Sequence, residues 1–333
     1  MKQKRNNKMN VIEVKNLKKQ YISKKKLIKE NGKKSLFKKI KTTKNAVDNI
    51  SFSVAEGEAV AFIGPNGAGK STTIKMLTGI LCPTSGEVSV LGLNPNKDRV
   101  KLSYQIGSVF GQKEQLWIHL SAYENFKFFG NIYDIKKKEL EQRIKELAAL
   151  FEIEEYMHQS VKSLSLGQRM RCEMVASLLH NPKMLFFDEP TIGLDPIAKE
   201  TLRKLIKKIN KELGTTIFFT SHDVGDIEEV CKRVIIVNDG KIVLDDSMRN
   251  LKYHYLNKKI VEVNLNKEVK INETDGIKII KAKDTLYKIE VDMNKTTMNE
   301  LMGLFCADDL QDITISSTPL EDIIKNIYRG RNE

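Results

Sequence analysis

"IGPNGAGKSTTIK", residues 63–75, sets three glycines and a lysine between an apolar run and a helical one. The run before it, "EAVAFI" at 58–63, reads as a short buried strand, and "KSTTIKMLTGI" after it repeats apolar residues at helical spacing. Gly64, Pro65, Asn66, Gly67, Ala68, Gly69, Lys70 and Ser71 fill every fixed position of a phosphate-binding loop, in the strand, turn and helix order such a loop needs. Glycines let backbone N–H groups turn inward with no Cβ in the way, and the helix N-terminus that follows adds partial positive charge. The stretch is therefore expected to cradle a polyphosphate, with Lys70 reaching its outer phosphates and the Ser71 hydroxyl ligating Mg²⁺. Thr72, next on the helix, belongs to the same cradle.

Further along, "NPKMLFFDEP" at 181–190 reads as a buried strand ending in two adjacent carboxylates. Ligands of open α/β sheets bind beyond the carboxyl ends of strands, so Asp188 and Glu189 should face the same crevice as the glycine turn. Asp188 suits direct or outer-shell Mg²⁺ binding, and Glu189 suits orienting or deprotonating an attacking water. A second strand, "TTIFFTS" at 215–221, delivers His222 to the same edge, where it could hydrogen-bond a γ-phosphate. "SLSLGQRMRCEMVASLLHNP" at 163–182 starts another helix behind a Ser and a Gly, a second anion-binding device. One nucleotide cannot easily be reached by both devices within a monomer. Two chains arranged head to tail could reach it.

Composition bounds the remainder. With 333 residues, 41% of them hydrophobic, the chain should hold one large domain plus a smaller one, or two of moderate size. Cys82, Cys172, Cys231 and Cys306 show no paired spacing, which argues against a zinc site and suits a reducing compartment. No stretch approaches the ~20 apolar residues that cross a bilayer, and the N-terminus lacks a signal-peptide core, so a cytoplasmic chain is expected. The net charge of +13 is concentrated: residues 1–45 carry 17 Lys or Arg against Glu13 and Glu30, leaving the remainder near neutral at −2. A basic arm of this kind could sit against an anionic membrane, bind nucleic acid, or simply be a solvated loop.

From about Val11 to Asp245 the chain resembles the ATP-binding cassette (ABC) ATPases: the glycine turn looks like Walker A, "LFFDE" like Walker B, "LSLGQ" like the signature motif and "GLDP", ending on Asp195 and Pro196, like the D-loop. The resemblance implies a P-loop α/β fold with antiparallel and helical subdomains, and a head-to-tail dimer that clamps ATP and Mg²⁺. In that arrangement Ser165, Gly167 and Gln168 serve the nucleotide held by the partner copy. It further implies that Tyr21 stacks on adenine, and that Gln112, or else Gln115, is the Q-loop glutamine contacting Mg²⁺ or the water. Two departures stand out: an extra Gly111 ahead of Gln112, and Leu166 at the signature position usually held by glycine. The resemblance also implies separate transmembrane permease subunits, a second copy or a paralogous ATPase as partner, and a place on the cytoplasmic face of the membrane, in an exporter-type system. A soluble ABC ATPase acting on nucleic acid or ribosomes is the alternative, disfavoured because the chain has one cassette and no coiled-coil or zinc insertion.

The expected organisation is a basic tail at 1–10, a nucleotide-binding domain at 11–245, and an α+β accessory domain at 246–333. Within the second of these, helices from about 113 to 180 form a subdomain. Its aromatic surplus, Trp117, Tyr123, Phe126, Phe128 and Phe129, is either core or a docking groove for the membrane subunits. The basic insert 22–45 is expected as an amphipathic surface segment or a mobile loop that could contact anionic lipid. "TTMNELMGLFCADDLQ", 296–311, is expected as one helix.

Overall fold

Runs that are apolar from end to end become strands covered on both faces, and three such runs lie at the centre of the first unit. The structure is a computed structural model that describes residues 9–28, 34–111, 113–221, 223–251, 258–269, 271–305, 307–317 and 320–328. Its contacts divide the chain into two units, 1–245 and 246–333.

In chain order, the first unit begins with β1 (Asn10–Ile28), β2 (Lys34–Ala55), β3 (Ala59–Ile63), α1 (Lys70–Leu77) and β4 (Ser85–Val90). There follow α2 (Arg99–Ser103), β5 (Ile106–Phe110), α3 (Ala122–Ile132), α4 (Lys137–Phe151), α5 (Leu166–Leu178) and β6 (Met184–Asp188). It closes with α6 (Pro196–Glu212), β7 (Thr216–Thr220), α7 (Val224–Val230), β8 (Arg233–Asn238) and β9 (Lys241–Ser247). A six-stranded sheet has the order β5-β6-β7-β3-β8-β9, and its first five strands pair in parallel. β3, β6 and β7 alternate between crossover helices in sequence yet lie side by side, so the loops after them open on one edge of the sheet.

A second, antiparallel sheet has the order β2-β1-β4. The two sheets share one core. Phe52 of β2 meets Phe62 of β3 and Phe218 of β7 at ring-centroid distances of 5.6 and 6.0 Å, and Phe62 meets Phe218 at 5.3 Å. Burial of each such ring contributes roughly 2–3 kcal/mol, enough to fix the antiparallel sheet against the parallel one. Two of the helices between β5 and β6 start on side-chain caps: Ser121 and Glu124 cap α3 reciprocally, and Ser165 and Gln168 cap α5 the same way.

Two expectations change here. The basic insert, expected as an amphipathic surface segment or a mobile loop, is paired strand and not loop in its described parts, because β1 runs on to Ile28 and β2 starts at Lys34 in antiparallel register. The two strands stay in regular register from Gln20↔Asn45 to Lys26↔Lys39 as a two-stranded ribbon. In the second unit, the expected helix over 296–311 stops early. β10 (Lys258–Leu265), β11 (Ile277–Lys283), β12 (Leu286–Asp292), α8 (Met298–Met302), β13 (Leu310–Ser317) and α9 (Leu320–Tyr328) make up this unit, whose sheet order is β11-β12-β10-β13. Gly303 caps α8 at its C-terminus, and the alternating "LQDITISS" pairs with β10 as a strand. Val261, Val263, Tyr287, Ile289 and Val291 cover one face of that sheet together with Leu301 and Phe305.

Candidate functional site

The glycine turn is held against the sheet by close backbone approaches. A Cβ on Gly64 would lie 2.2 Å from the Val237 carbonyl oxygen, and one on Gly69, whose φ is +107°, would lie 2.3 Å from that of Ala46. No other residue fits either position without moving a strand. Pro65 and Ala68 close the turn through the Ala68 N–H, which donates to the Pro65 carbonyl at 3.1 Å. Lys70 is buried; its Nζ donates to the Gly64 carbonyl at 2.7 Å and lies 3.6 Å from Glu189 Oε1.

A cavity of about 520 Å³ opens over this turn, lined by Tyr21, Lys44, Ala46, Asn66, Gly67, Gly69, Lys70, Ser71, Thr72 and Glu189. Sequence reasoning placed Tyr21 here, and the ring is 45% exposed at the cavity wall. It did not anticipate Lys44. A smaller cavity of about 180 Å³ shares Ser71 and Glu189 and adds Lys75, Lys113 and Asp188.

At the end of β6, Asp188 Oδ1 accepts from Ser71 Oγ at 3.2 Å and from Thr220 Oγ1 at 2.8 Å. A hydroxyl and a carboxylate in contact are hard oxygen donors, and they suit Mg²⁺, which takes one or two protein oxygens and completes its shell with water and phosphate. Glu189 adopts φ +54°, the left-handed region that a bulky residue enters only when its surroundings hold it there. Its N–H donates to the Thr220 carbonyl and hydroxyl, both at 3.1 Å. On the other side, the Gly111 N–H donates to the Asp188 carbonyl at 3.0 Å, and a Cβ there would sit 2.1 Å from the Glu189 carbonyl oxygen. The extra glycine of the sequence is thus the residue that lets β5 end against the carboxylate pair.

Ser165, Gly167 and Gln168 lie elsewhere. Ser165 is exposed, its side chain accepting from the Gln168 N–H at 3.2 Å, and none of the three is among the described residues that line the cavity. Asp195 caps α6, accepting from the N–H groups of Ile197 and Ala198, with Pro196 in the first turn. Gln112 and His222 lie outside the described residues. Gln115, with its amide turned to satisfy its neighbours, donates to the Ser108 carbonyl and accepts from the Phe110 N–H, both at 3.1 Å, so it ties the loop back to β5.

A buried network that the sequence did not reveal lies at the end of β7. Asp226, fully buried, accepts from Thr191 Oγ1, from Ser221 Oγ at 2.9 Å and from Arg203 Nε at 2.6 Å. It joins the loop after β6, the end of β7 and α6 by charge-assisted bonds. A single sequence offers no signal for it, since an Asp in a helix's first turn usually serves the helix alone.

Of the aromatic residues ahead of and on α3, Phe126 is core, and Tyr123 donates to Glu141 at 2.9 Å. Trp117 and Phe128 are exposed and pack on each other with centroids 3.9 Å apart.

Residues 47–192 match the family model described as ABC transporter. The chain is 32% identical to the ABC transporter ATP-binding protein NatA of Bacillus subtilis, over 65% of this chain and 87% of NatA. It is also 32% identical to the bacitracin transport ATP-binding protein BcrA of Bacillus licheniformis, over 86% of this chain and 94% of BcrA. Among solved structures it resembles the dimeric post-hydrolysis state of the ATP-binding cassette MJ0796 bound to ADP and Pi, with a TM-score of 0.59 and 28% identity, covering 72% of this chain and 99% of that one. It likewise resembles cbiO1 of Clostridium perfringens, part of the transporter complex cbiONQ, with a TM-score of 0.62 and 28% identity, covering 73% and 91%.

Proposed function

The chain belongs to the ATP-binding subunits of ABC transporters, and from that premise we propose that two copies clamp ATP head to tail and pass the closing stroke to transmembrane partners. It is an ABC ATPase, and its substrate is ATP. The observation that carries the dimeric reading is the separation of its two anion-binding devices: the phosphate cradle, Asp188 and Glu189 line shared cavities, while the Ser165 cap at the start of α5 faces solvent.

The geometry assigns roles within one site. Backbone N–H groups of the glycine turn and the start of α1 wrap the phosphates, Lys70 exchanges its carbonyl partners for phosphate oxygens, and Tyr21 covers the base. Mg²⁺, held by Ser71 and Asp188, would supply charge neutralisation between the outer phosphates. Glu189 takes the proton of the attacking water as its oxygen bonds to the γ-phosphorus and the bridging oxygen leaves with ADP. Ser165 and Gly167 of the second copy, capped by Gln168, present a helix N-terminus to the γ-phosphate, and Asp195 shapes the loop between the two sites. Gln112 and His222 complete the reading as the water and γ-phosphate contacts.

ATP favours the closed pair because only that state has both devices on one nucleotide, and phosphoryl loss removes the difference. Among the described residues no helix is long and apolar enough to cross a membrane, so the stroke requires separate membrane subunits, seated on the cytoplasmic face against Trp117 and Phe128. The relative named for bacitracin transport favours export.

Replacing the proposed base tests the assignment. Glu189→Gln keeps ATP binding and lowers steady-state turnover by at least ~100-fold, measured as phosphate release beside equilibrium nucleotide binding. Unchanged turnover assigns the water to another group.

A further inference from the structure

Arg169 and Arg171 stand two positions apart near the start of α5, and residues so spaced on a helix look in different directions. Arg171 turns toward the other helices: its Nη1 donates to the Phe151 carbonyl at the end of α4 at 3.4 Å, and its guanidinium lies 5.6 Å from the centre of the Tyr156 ring. Arg169 turns toward the segment that follows β5. Its Nη1 donates to Glu114 Oε1 at 2.6 Å, and its Nε lies 3.9 Å from Glu173 Oε1. That same Glu173 oxygen accepts from the Gln115 N–H at 3.5 Å. Glu114 is about half exposed, so the pair adds little to stability. What it fixes is direction, because a planar guanidinium meets two carboxylates only in a narrow range of orientations.

Residues 113–115 have one duty each. Lys113 lines the smaller cavity with Ser71, Asp188 and Glu189. Glu114 meets Arg169, and the Gln115 side chain fastens the segment to Ser108 and Phe110 of β5. Directly after β5, the Gly111 N–H holds the Asp188 carbonyl. On the far side, the Arg169 N–H donates to the Ser165 carbonyl at 2.9 Å, in the helical turn that contains Gly167. Contacts therefore run without a break from the carboxylates of one nucleotide site to the helix start at the signature.

We propose that Arg169 is a positioning residue that ties the signature end of α5 to the loop after β5, so that the state of one nucleotide site sets how the signature meets the nucleotide held by the other copy. This rests on the head-to-tail reading above, which places Ser165 and Gly167 on the partner's nucleotide. With the tie in place, a site that has closed on ATP presents its α5 start in one orientation. Without it, the turn still forms, because Ser165 and Gln168 cap it, but it samples several orientations and the closed pair needs more ATP. The coupling is reciprocal, so a seated signature also steadies the carboxylates of its own chain.

The test follows ATP-driven pairing of the full chain by sedimentation, with Mg²⁺ and on the Glu189→Gln background so that the nucleotide persists. Beside it are measured ATP binding by the unpaired chain at low protein concentration, and turnover with Glu189 in place. R169Q is expected to raise the ATP concentration for half-maximal pairing, and KM with it, by ~10-fold, leaving kcat and binding by the unpaired chain within ~2-fold. E114Q raises it by ~3-fold, and R169Q/E114Q goes no further than R169Q alone, since both remove one contact. R169K, which keeps the cation, stays within ~3-fold of the parent. If R169Q does not fold, with its urea midpoint lost, E114Q carries the test from a half-exposed position. Pairing curves of the glutamine variants that overlay the parent's overturn the inference, as do losses that multiply in the double variant, or weaker ATP binding by the unpaired E114Q chain, which would make the pair a support of the cradle. A parent that fails to pair at any ATP concentration overturns the head-to-tail reading and this inference with it, whereas a parent that pairs beside variants that match it removes the tie alone.

Discussion

Gly111 sits where two strand ends converge, and the consequence of filling it can be worked out from one distance. A methyl group at 2.1 Å from the Glu189 carbonyl oxygen forces that backbone away by more than an ångström, and Glu189 is already held at φ +54°. Misplacement on that scale removes about 100-fold from a rate that depends on an oriented water. Gly111→Ala is therefore expected to lower kcat by ~10- to 100-fold with ATP affinity within about 3-fold of the parent, measured by turnover and equilibrium binding. Full activity would mean that the loop relaxes without moving the base. Residues whose function depends on local spacing, such as Gly64, Gly69 and Lys70, were legible in the sequence because the turn and the helix that follow are contiguous with them. Gly111 and Thr220 were not, because the groups they serve arrive from β6 through a parallel pairing that no local pattern encodes.

Within α5, Glu173 lies about two turns from the Ser165 cap with a side chain 2% exposed. Burial pushes its carboxyl up to about 7, against the opposing pull of the Gln115 N–H and of Arg169. Since the folded value exceeds the ordinary 4.5, the unfolded chain gives up this proton first. The group is neutral to stability below about pH 4.5, costs more as pH rises toward 7, and costs a constant amount above that. Glu173→Gln removes the ionisation, so it should stabilise the protein by roughly 2–3 kcal/mol at about pH 8 and by much less at about pH 5, read from urea unfolding at the two pH values. A gain independent of pH would place its origin in packing instead. At this scale a helix with strong periodicity, such as α4, was readable, and so were the buried strands β3, β6 and β7. The basic ribbon was obscured because lysine runs show no two-residue alternation, although Asn31-Gly32, a dipeptide that favours hairpin turns, lies between its strands in sequence.

For the whole assembly, the proposed pairing makes an arithmetic prediction. A head-to-tail dimer has two identical sites, each built from one copy's cradle and the other copy's α5 start. Lys70→Ala disables the cradle, and Gly167→Asp places a negative side chain where a phosphate should approach and where even a Cβ already meets that of Ala198 at 3.0 Å. Neither variant alone forms an intact site. When equal amounts are mixed, half of the pairs are mixed pairs, and each concentrates both defects in one site and leaves the other whole, so about a quarter of the parental sites are restored. Turnover in the mixture should rise well above that of either variant, up to that fraction when the two sites fire independently and less when they must fire together. The check is phosphate release as a function of mixing ratio, which should peak at equal amounts. A flat line across all ratios would mean that the Ser165–Gly167 surface serves a nucleotide within its own chain, or none, and the clamp would have to be rebuilt on different residues.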